Sequence, residues 1–376
     1  MVDQENLRTM VTAPTPPGTD QRAEALGPVV VIGAGLVGAS VGCALTRAGA
    51  TVHLRDRRRS HALVAAGIGA GTVTPPAARE VKLVVVAVPP DAVPEVVERA
   101  LKHYRHAVVT DVASVKTPVV EALRARELNL DRYVGSHPMA GSQYSGPLTA
   151  TPQLFVDRRW VIADGTGTPD AVSTVESLVA VCGARLIHLS PADHDRAVAE
   201  VSHVPQIMSS LTAARLRDVP SGDLLLAGQG VRDVTRVAGS DPVLWGQIIT
   251  ANHEQIAAQL RRVRDDLDRM LEAIQAQEPA GVGEVIAEGQ QGVAALPGKH
   301  GRSTTNLDTV VVEIPDAPGA LARLFADIQA QGVNIEDLSI EHDIAKPAGY
   351  LSVAVGADRA ADLRAAMSSA GWGLRS

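Results

Sequence analysis

Residues 28–38 read Pro-Val-Val-Val-Ile-Gly-Ala-Gly-Leu-Val-Gly, an apolar run that stops at a glycine turn and restarts with helical spacing. Continuous Val and Ile without polar alternation suits a strand buried on both faces of a parallel sheet. The glycines then have separate tasks. Gly33 permits the tight turn, Gly35 lets backbone approach a pyrophosphate, and Gly38 allows the helix to lie close to the strand. The helix opening at Leu36 and Val37 offers unpaired N–H groups and the positive end of its dipole to an anion. The next strand, "TVHLRD", ends at Asp56, 18 residues beyond Gly38, where a carboxylate accepts hydrogen bonds from a ribose diol. The spacing predicts a dinucleotide cradle of Gly33, Gly35, Leu36, Val37, Gly38 and Asp56, with Arg57 and Pro89 at its edge. Asp56 favours NAD over NADP, because a 2′-phosphate would meet its charge. Arg57, Arg58 and Arg59 pull the other way, being either a solvated helix start or a seat for that phosphate.

Further along, "VKLVVVAVP", "HAVVTDV" and residues 159–163 and 185–189 read as strands between helical stretches. That order predicts right-handed βαβ units and a Rossmann-type α/β domain over residues 28–190. From Pro191 helical spacing takes over, so an all-helical domain is expected over 191–295, followed by a Gly/Pro-bearing linker at 296–305. Residues 306–376 read strand, helix, strand, strand, helix, strand, a small α+β module of βαββαβ order. Polar residues 1–27, rich in Pro and Thr, read as a disordered tail without signal-peptide character.

The composition narrows the function classes. With 376 residues, 45% apolar and 20% charged, the chain is that of a globular enzyme too long for one core. A net charge of −7 and no basic run interleaved with aromatics argue against nucleic acid as a partner. No apolar run reaches membrane-spanning length, and a cytoplasmic protein is expected. Cys43 and Cys182 lie in apolar surroundings without ligand spacing, so they read as buried thiols, and no metal site is expected.

Three polar segments interrupt this apolar texture. "TDVASVKTP" sets Asp111, Ser114 and Lys116 at the carboxyl end of a strand, where open α/β sheets bind ligands. Ser114 is equally suited to capping the helix that follows. "VGSHPMAGSQYSG" holds His137 in a glycine-rich loop, either as an acid or base at neutral pH or as a structural histidine. In "GVRDVTRVAGSDPVLW", Arg232 and Arg236 share a helical face and Asp233 is placed to orient Arg236, with valines implying partial burial. Arginine is suited to bidentate grip of a carboxylate, the alternative being a solvated charged face.

"GAGLVGAS", "DVASVK", "GSHPMAGSQYSG", "HDRAVAEVSHVPQ" and "DVTRVAGSDPVLW" occur in an order that resembles the prephenate/arogenate dehydrogenase family of tyrosine biosynthesis, over residues of about 28–280. "SHPMAG" and "TRVAGSDPVLW" are far more specific than the glycine loop. The C-terminal module resembles an ACT domain, a regulatory fold, with "PDAPGAL" and "GVNIEDL" where such domains bind amino acids. The resemblance implies NAD-dependent oxidative decarboxylation of prephenate to 4-hydroxyphenylpyruvate. It implies that His137 accepts or hydrogen-bonds the 4-hydroxyl proton, Ser114 bonds the same oxygen, and Arg236 holds a carboxylate. Ser202, Gln206, Asp233, Lys116 and Trp245 would complete the substrate site. It further implies a homodimer through the helical domain, and tyrosine as an effector held by Asp316, Gly319, Asn334 and Ile335.

One departure bears on substrate choice. Where many relatives read "SHLPH", this chain reads Ser202-His203-Val204-Pro205-Gln206. An amide at 206 can donate to a keto oxygen or carboxylate, whereas arogenate's ammonium calls for a carboxylate, so prephenate is expected over arogenate. A β-hydroxyacid dehydrogenase would need a lysine in its helical domain, and the helical segments after Pro191 contain none. A non-catalytic NAD- and amino-acid-binding sensor would have no use for His137, Ser114 and Arg236 together.

Overall fold

The computed structural model describes residues 19–142, 144–296, 307–315, 317–342 and 348–375. They form two compact units, which divide between Val263 and Arg264. The division falls inside one helix, whereas the sequence reading places its boundaries at 190 and 295.

The first unit opens with α1 (Thr19–Leu26), then β1 (Val29–Ile32), α2 (Leu36–Arg47), β2 (Val52–Arg55), α3 (Arg59–Gly67) and β3 (Leu83–Val86). It continues through α4 (Val93–His103), β4 (Val108–Asp111), α5 (Thr117–Arg124), β5 (Tyr133–Pro138), β6 (Arg159–Ala163), α6 (Pro169–Val181) and β7 (Arg185–Leu189). Among the described residues the sheet runs β2-β1-β3-β4-β5-β6-β7. Alternate residues feed opposite faces: Val29, Val31, Leu83 and Val85 enter one core cluster, and Val30, Val84 and Val86 the other. Burial on both faces is why these strands lack polar alternation. Strand order reverses beside β1, so the turns after β1 and β3 flank a crevice at their carboxyl ends, the usual ligand position in such sheets.

Two expectations need correction. Residues 19–26 are not part of a disordered tail: α1 packs on α6, with Ala23 and Leu26 buried in the core. Its two apolar anchors are too sparse to stand out from a polar sequence. The sheet is also not wholly parallel, because β5 and β6 pair antiparallel, Ser136 opposite Ile162 and Pro138 opposite Trp160. A parallel return needs a crossover helix. Between β5 and β6 the described chain has only a short 3₁₀ turn at Pro147–Thr149, so it doubles back.

Helices α7 (Pro191–Val198), α8 (Val204–Leu216), α9 (Gln229–Thr235), α10 (Pro242–Ala251) and α11 (His253–Gln275) follow. Between α7 and α8, Ala199–His203 form a π-helical turn. Pro205 explains it: the ring has no N–H for the carbonyl four residues back and crowds it, so the helix widens there. The second unit holds the end of α11, α12 (Pro279–Ala294), β8 (Leu307–Pro315), α13 (Ala320–Ala330), β9 (Asp337–His342), β10 (Ala348–Gly356), α14 (Ala357–Ser369) and β11 (Gly373–Arg375). The described strands pair antiparallel in the order β11-β8-β10-β9, giving the expected βαββαβ module. Cys43 and Cys182 are buried free thiols, and burial pushes the Cys182 thiol up to about 12. No helix of the described residues is long and apolar enough to cross a membrane.

If α1 belongs to the fold, Leu26→Ala should lower unfolding free energy by about 2–4 kcal/mol in urea titration. An unchanged midpoint would return residues 19–26 to the status of a tail.

Candidate active site

The glycine loop has the shape its spacing predicts. A Cβ added at Gly33 would strike the Ala87 carbonyl, and one at Gly38 would strike the Gly33 carbonyl. These two glycines serve close packing of strand and helix. At Gly35 a Cβ would meet nothing within 4 Å, so this residue borders open space at the start of α2, beside Leu36 and Val37. Asp56 follows β2, and its carboxylate accepts from the backbone N–H of Ala34 (2.7 Å) and of Arg58 (2.7 Å). The acid is thereby fastened to the loop it serves. Arg57 and Pro89 are exposed at the rim. An open space at Gly35, a helix N-terminus and a tethered carboxylate fit a dinucleotide.

Beyond the loop lies a buried polar cluster at the ends of β4 and β5. The Asp111 carboxylate accepts from Lys116 Nζ, from the Ala113 N–H (2.9 Å) and from the Tyr133 hydroxyl (2.7 Å). Lys116 Nζ also donates to the Ser136 carbonyl (2.7 Å), and Ser136 Oγ donates to the Asp111 carbonyl (2.8 Å). Lys116, Asp111 and Ser136 are fully buried. Burial pulls the Lys116 pKa down, partly offset by Asp111 and Asp195, and burial with Asp111 raises Tyr133 well above its usual 10. Expected to bind substrate, Lys116 instead clamps β4 to β5 one residue before His137. Its ammonium has no path to a ligand.

His137 Nδ1 lies 2.9 Å from His194 Nε2, and His194 Nδ1 lies 2.7 Å from Asp195 Oδ1. The Asp195 carboxylate accepts in addition from the backbone N–H groups of Lys116 (2.8 Å) and Thr117 (2.8 Å). Burial alone would raise the Asp195 pKa, but the bonds from His194, Lys116 and Thr117 hold it below the usual value. Burial, then the neighbouring His194, Lys116 and His203, hold the His137 imidazole well below 6.5. His203, in the π turn, is pushed down to about 4 by burial. It meets Asn252 Nδ2 at 3.2 Å and the edge of the half-buried Trp245, ring centroids 6.0 Å apart. Ser114 Oγ is buried with no hydrogen-bond partner. It does not cap α5, and an orphaned hydroxyl at a strand end is what a ligand oxygen would satisfy. Ser202 stands half-buried in the π turn.

His194 and Asp195 escaped the sequence reading. In "HDRAV" they look like the solvated first turn of a helix, and nothing local signals that α7 docks on the β4–α5 turn.

Three further expectations change. Gln206 Nε2 donates to the Val237 carbonyl (2.9 Å) and lies 3.4 Å from Ser210 Oγ, so its donor is spent inside the protein and Oε1, an acceptor, remains. Asp233 accepts from Gln229 Nε2 (2.7 Å) and does not orient Arg236. Arg236 begins a 3₁₀ turn (Arg236–Gly239) after α9, is exposed, and has no ion pair among the described residues. The expected partial burial of this segment is uneven: Val231, Val237 and Ala238 are half-buried, whereas Val234 is 55% exposed. A cavity of about 570 Å³ lies between the starts of α4 and α5 and helix α10, lined by Pro90, Val115, Pro242 and Gln247, but His137, Ser114 and Arg236 do not line it.

A family model described as the nucleotide-binding domain of prephenate dehydrogenase matches residues 41–188, and one for its dimerization domain matches 190–288. A Streptomyces niveus protein named "Probable prephenate dehydrogenase NovF" is 35% identical over 338 residues, covering 87% of this chain and 93% of its own. The chain belongs to the prephenate dehydrogenase family. As a member it is an NAD-dependent oxidoreductase with a Rossmann-like domain and a helical dimerisation-type domain. Among solved structures, Synechocystis arogenate dehydrogenase is 27% identical, with a TM-score of 0.58 over 70% of this chain and 98% of that one. The A. aeolicus prephenate dehydrogenase, in complex with hydroxyphenyl propionate and NAD+, shares the fold at 23% identity and a TM-score of 0.61, covering 70% of this chain and 96% of that one.

The two kinds of glycine in the loop separate experimentally. Gly35→Ala should fold with an unchanged melting temperature yet bind NAD about tenfold more weakly, because the new methyl enters the space for the pyrophosphate. Gly38→Ala should lose stability itself. Unaltered NAD binding by the Gly35 variant would remove the loop from the cofactor site.

Proposed function

We propose that this chain catalyses NAD-dependent oxidative decarboxylation of prephenate to 4-hydroxyphenylpyruvate. The observation that carries the proposal is His137, held toward its neutral form by burial at the end of β5, three strands along the same sheet from β1 and its glycine turn. NAD in that cradle supplies the hydride acceptor for carbon 4 of the ring. His137 takes the 4-hydroxyl proton as carbon 4 becomes a carbonyl. The bond to the ring carboxylate then breaks, its electron pair enters the ring, and CO2 leaves. His137 returns the proton to the resulting phenolate oxygen, so the site ends as it began. Ser114 Oγ donates to the same oxygen and stabilises its negative character. Arg236, exposed on its turn and without an ion pair among the described residues, holds a substrate carboxylate.

A second reading is favoured by Gln206. With Nε2 committed to Val237, only the acceptor Oε1 is left, and an acceptor suits the ammonium of arogenate better than a keto oxygen. Comparing kcat/KM for prephenate and arogenate decides the matter. At least a tenfold preference for prephenate is expected, and the reverse would make this an arogenate dehydrogenase.

The second unit's βαββαβ module is read as an ACT-type regulatory domain responding to tyrosine. Gly319, at a φ of +85° before α13, and the exposed Asn334, bonded to Glu336 (2.7 Å), remain candidate contacts. Ile335 packs against the module's core, and Asp316 lies outside the described residues. A homodimer is the natural way to cover Val201, Leu211 and Val234, all exposed apolar residues of the 190–288 segment.

His137→Asn should lower kcat by about 10²–10⁴-fold with little change in NAD affinity. The base acts unprotonated, and its pKa lies below 6.5, so kcat/KM should stay level from about pH 8 down to 6.5 and fall only at lower pH. An acid limb centred at or above 6.5, or an active Asn variant, would remove His137 from the role.

A further inference from the structure

We propose that His194 and Asp195 are positioning residues that hold the single proton of His137 on Nδ1, leaving Nε2 bare toward the substrate; this rests on reading His137 as the base. The logic is one of donors and acceptors. A carboxylate only accepts, and Asp195 already takes N–H bonds from Lys116 and Thr117, so it accepts from His194 Nδ1 as well. With that proton on Nδ1, a neutral His194 has only a lone pair at Nε2. The facing atom, His137 Nδ1, lies 2.9 Å away and must therefore be the donor. One proton per ring then leaves His137 Nε2 empty. The reverse tautomer would bring two lone pairs together at Nδ1 and Nε2, and would place a proton on the atom that has to receive one.

Other neighbours do not supply this control. Lys116 Nζ is engaged with Asp111 and the Ser136 carbonyl, and Ser136 Oγ with the Asp111 carbonyl. His203 is turned toward Asn252, which also donates to the Asp195 carbonyl (2.8 Å). Nor is His194 needed merely to fasten α7, because Asp195 makes both bonds to the α5 N-terminus by itself. His194 is fully buried, with one ring nitrogen on Asp195 and the other on His137. The groups bearing on His137 from the packed elements are His194, Lys116 and His203, with Asp195 behind His194.

The test uses the full chain, with kcat, KM and the NAD dissociation constant measured for His194→Leu, His194→Gln and His137→Asn. Glutamine sets a carbonyl oxygen near the place of Nε2 and so can still accept from His137 Nδ1, while leucine cannot. His194→Leu should lose about 100-fold or more in kcat, with KM and NAD affinity within about threefold of wild type. His194→Gln should recover to within about tenfold of wild type. Should the leucine variant not fold, His194→Met, which also lacks an effective acceptor, takes its place. Wild-type turnover in the leucine or methionine variant would overturn the positioning role, as would equal losses in the leucine and glutamine variants with folding intact. An active His137→Asn would instead bring down the base assignment, and this proposal with it; an inactive His137→Asn beside an active His194→Leu would sink only the positioning role.

Discussion

A single carboxylate, Asp195, ties the start of the helical segment to the β4–α5 turn beside His137. It accepts the first N–H groups of α5, those of Lys116 and Thr117, and the Nδ1–H of His194. A buried carboxylate is tolerable only when its lone pairs are met, and charge-assisted bonds of this kind are the strong ones. The bonds from Lys116 and Thr117 dock α7 of the helical segment on the β4–α5 turn, and the bond from His194 links the acid to His137. Structure and chemistry share one anchor.

From that anchor the constraints run in order. β4 ends at Asp111, which grips Lys116, Tyr133 and the Ala113 N–H; Lys116 in turn grips Ser136, and His137 follows on the same strand. The proposed base therefore sits on a strand pinned at two points, with burial favouring its neutral form. Breaking a buried ion pair such as Lys116–Asp111 by removing one partner typically costs about 3–5 kcal/mol, so this clamp is not readily varied. The proposed carboxylate grip lies on different ground. Arg236 stands on an exposed 3₁₀ turn without an ion pair among the described residues, free to meet a carboxylate.

Much of this was legible in the residues themselves. The glycine loop and the Val-rich strands follow from local pattern, because burial on both faces writes itself into consecutive residues, and the strands at 159–163 and 185–189 are where their apolar runs place them. His137 and Ser114 stand out as polar residues in apolar segments. What pattern could not convey is partnership across the chain. Lys116 looked like a ligand for substrate until Ser136 and Asp111 claimed it, and Gln206 looked like a donor until the Val237 carbonyl took its Nε2. His194 and Asp195 are separated from His137 and Lys116 by 57 and 79 residues, and only the docking of α7 brings them together. The antiparallel β5–β6 pair is a matter of loop path rather than strand composition.

The central claim is that His137 is a neutral imidazole carrying its proton on Nδ1, with a bare Nε2 for the substrate hydroxyl. NMR of the full chain labelled with heavy nitrogen at histidine reads both ring nitrogens directly at neutral pH. The account predicts a protonated Nδ1 and an unprotonated Nε2 for His137, assigned by its loss in His137→Asn. An imidazolium, or the opposite tautomer, would contradict it.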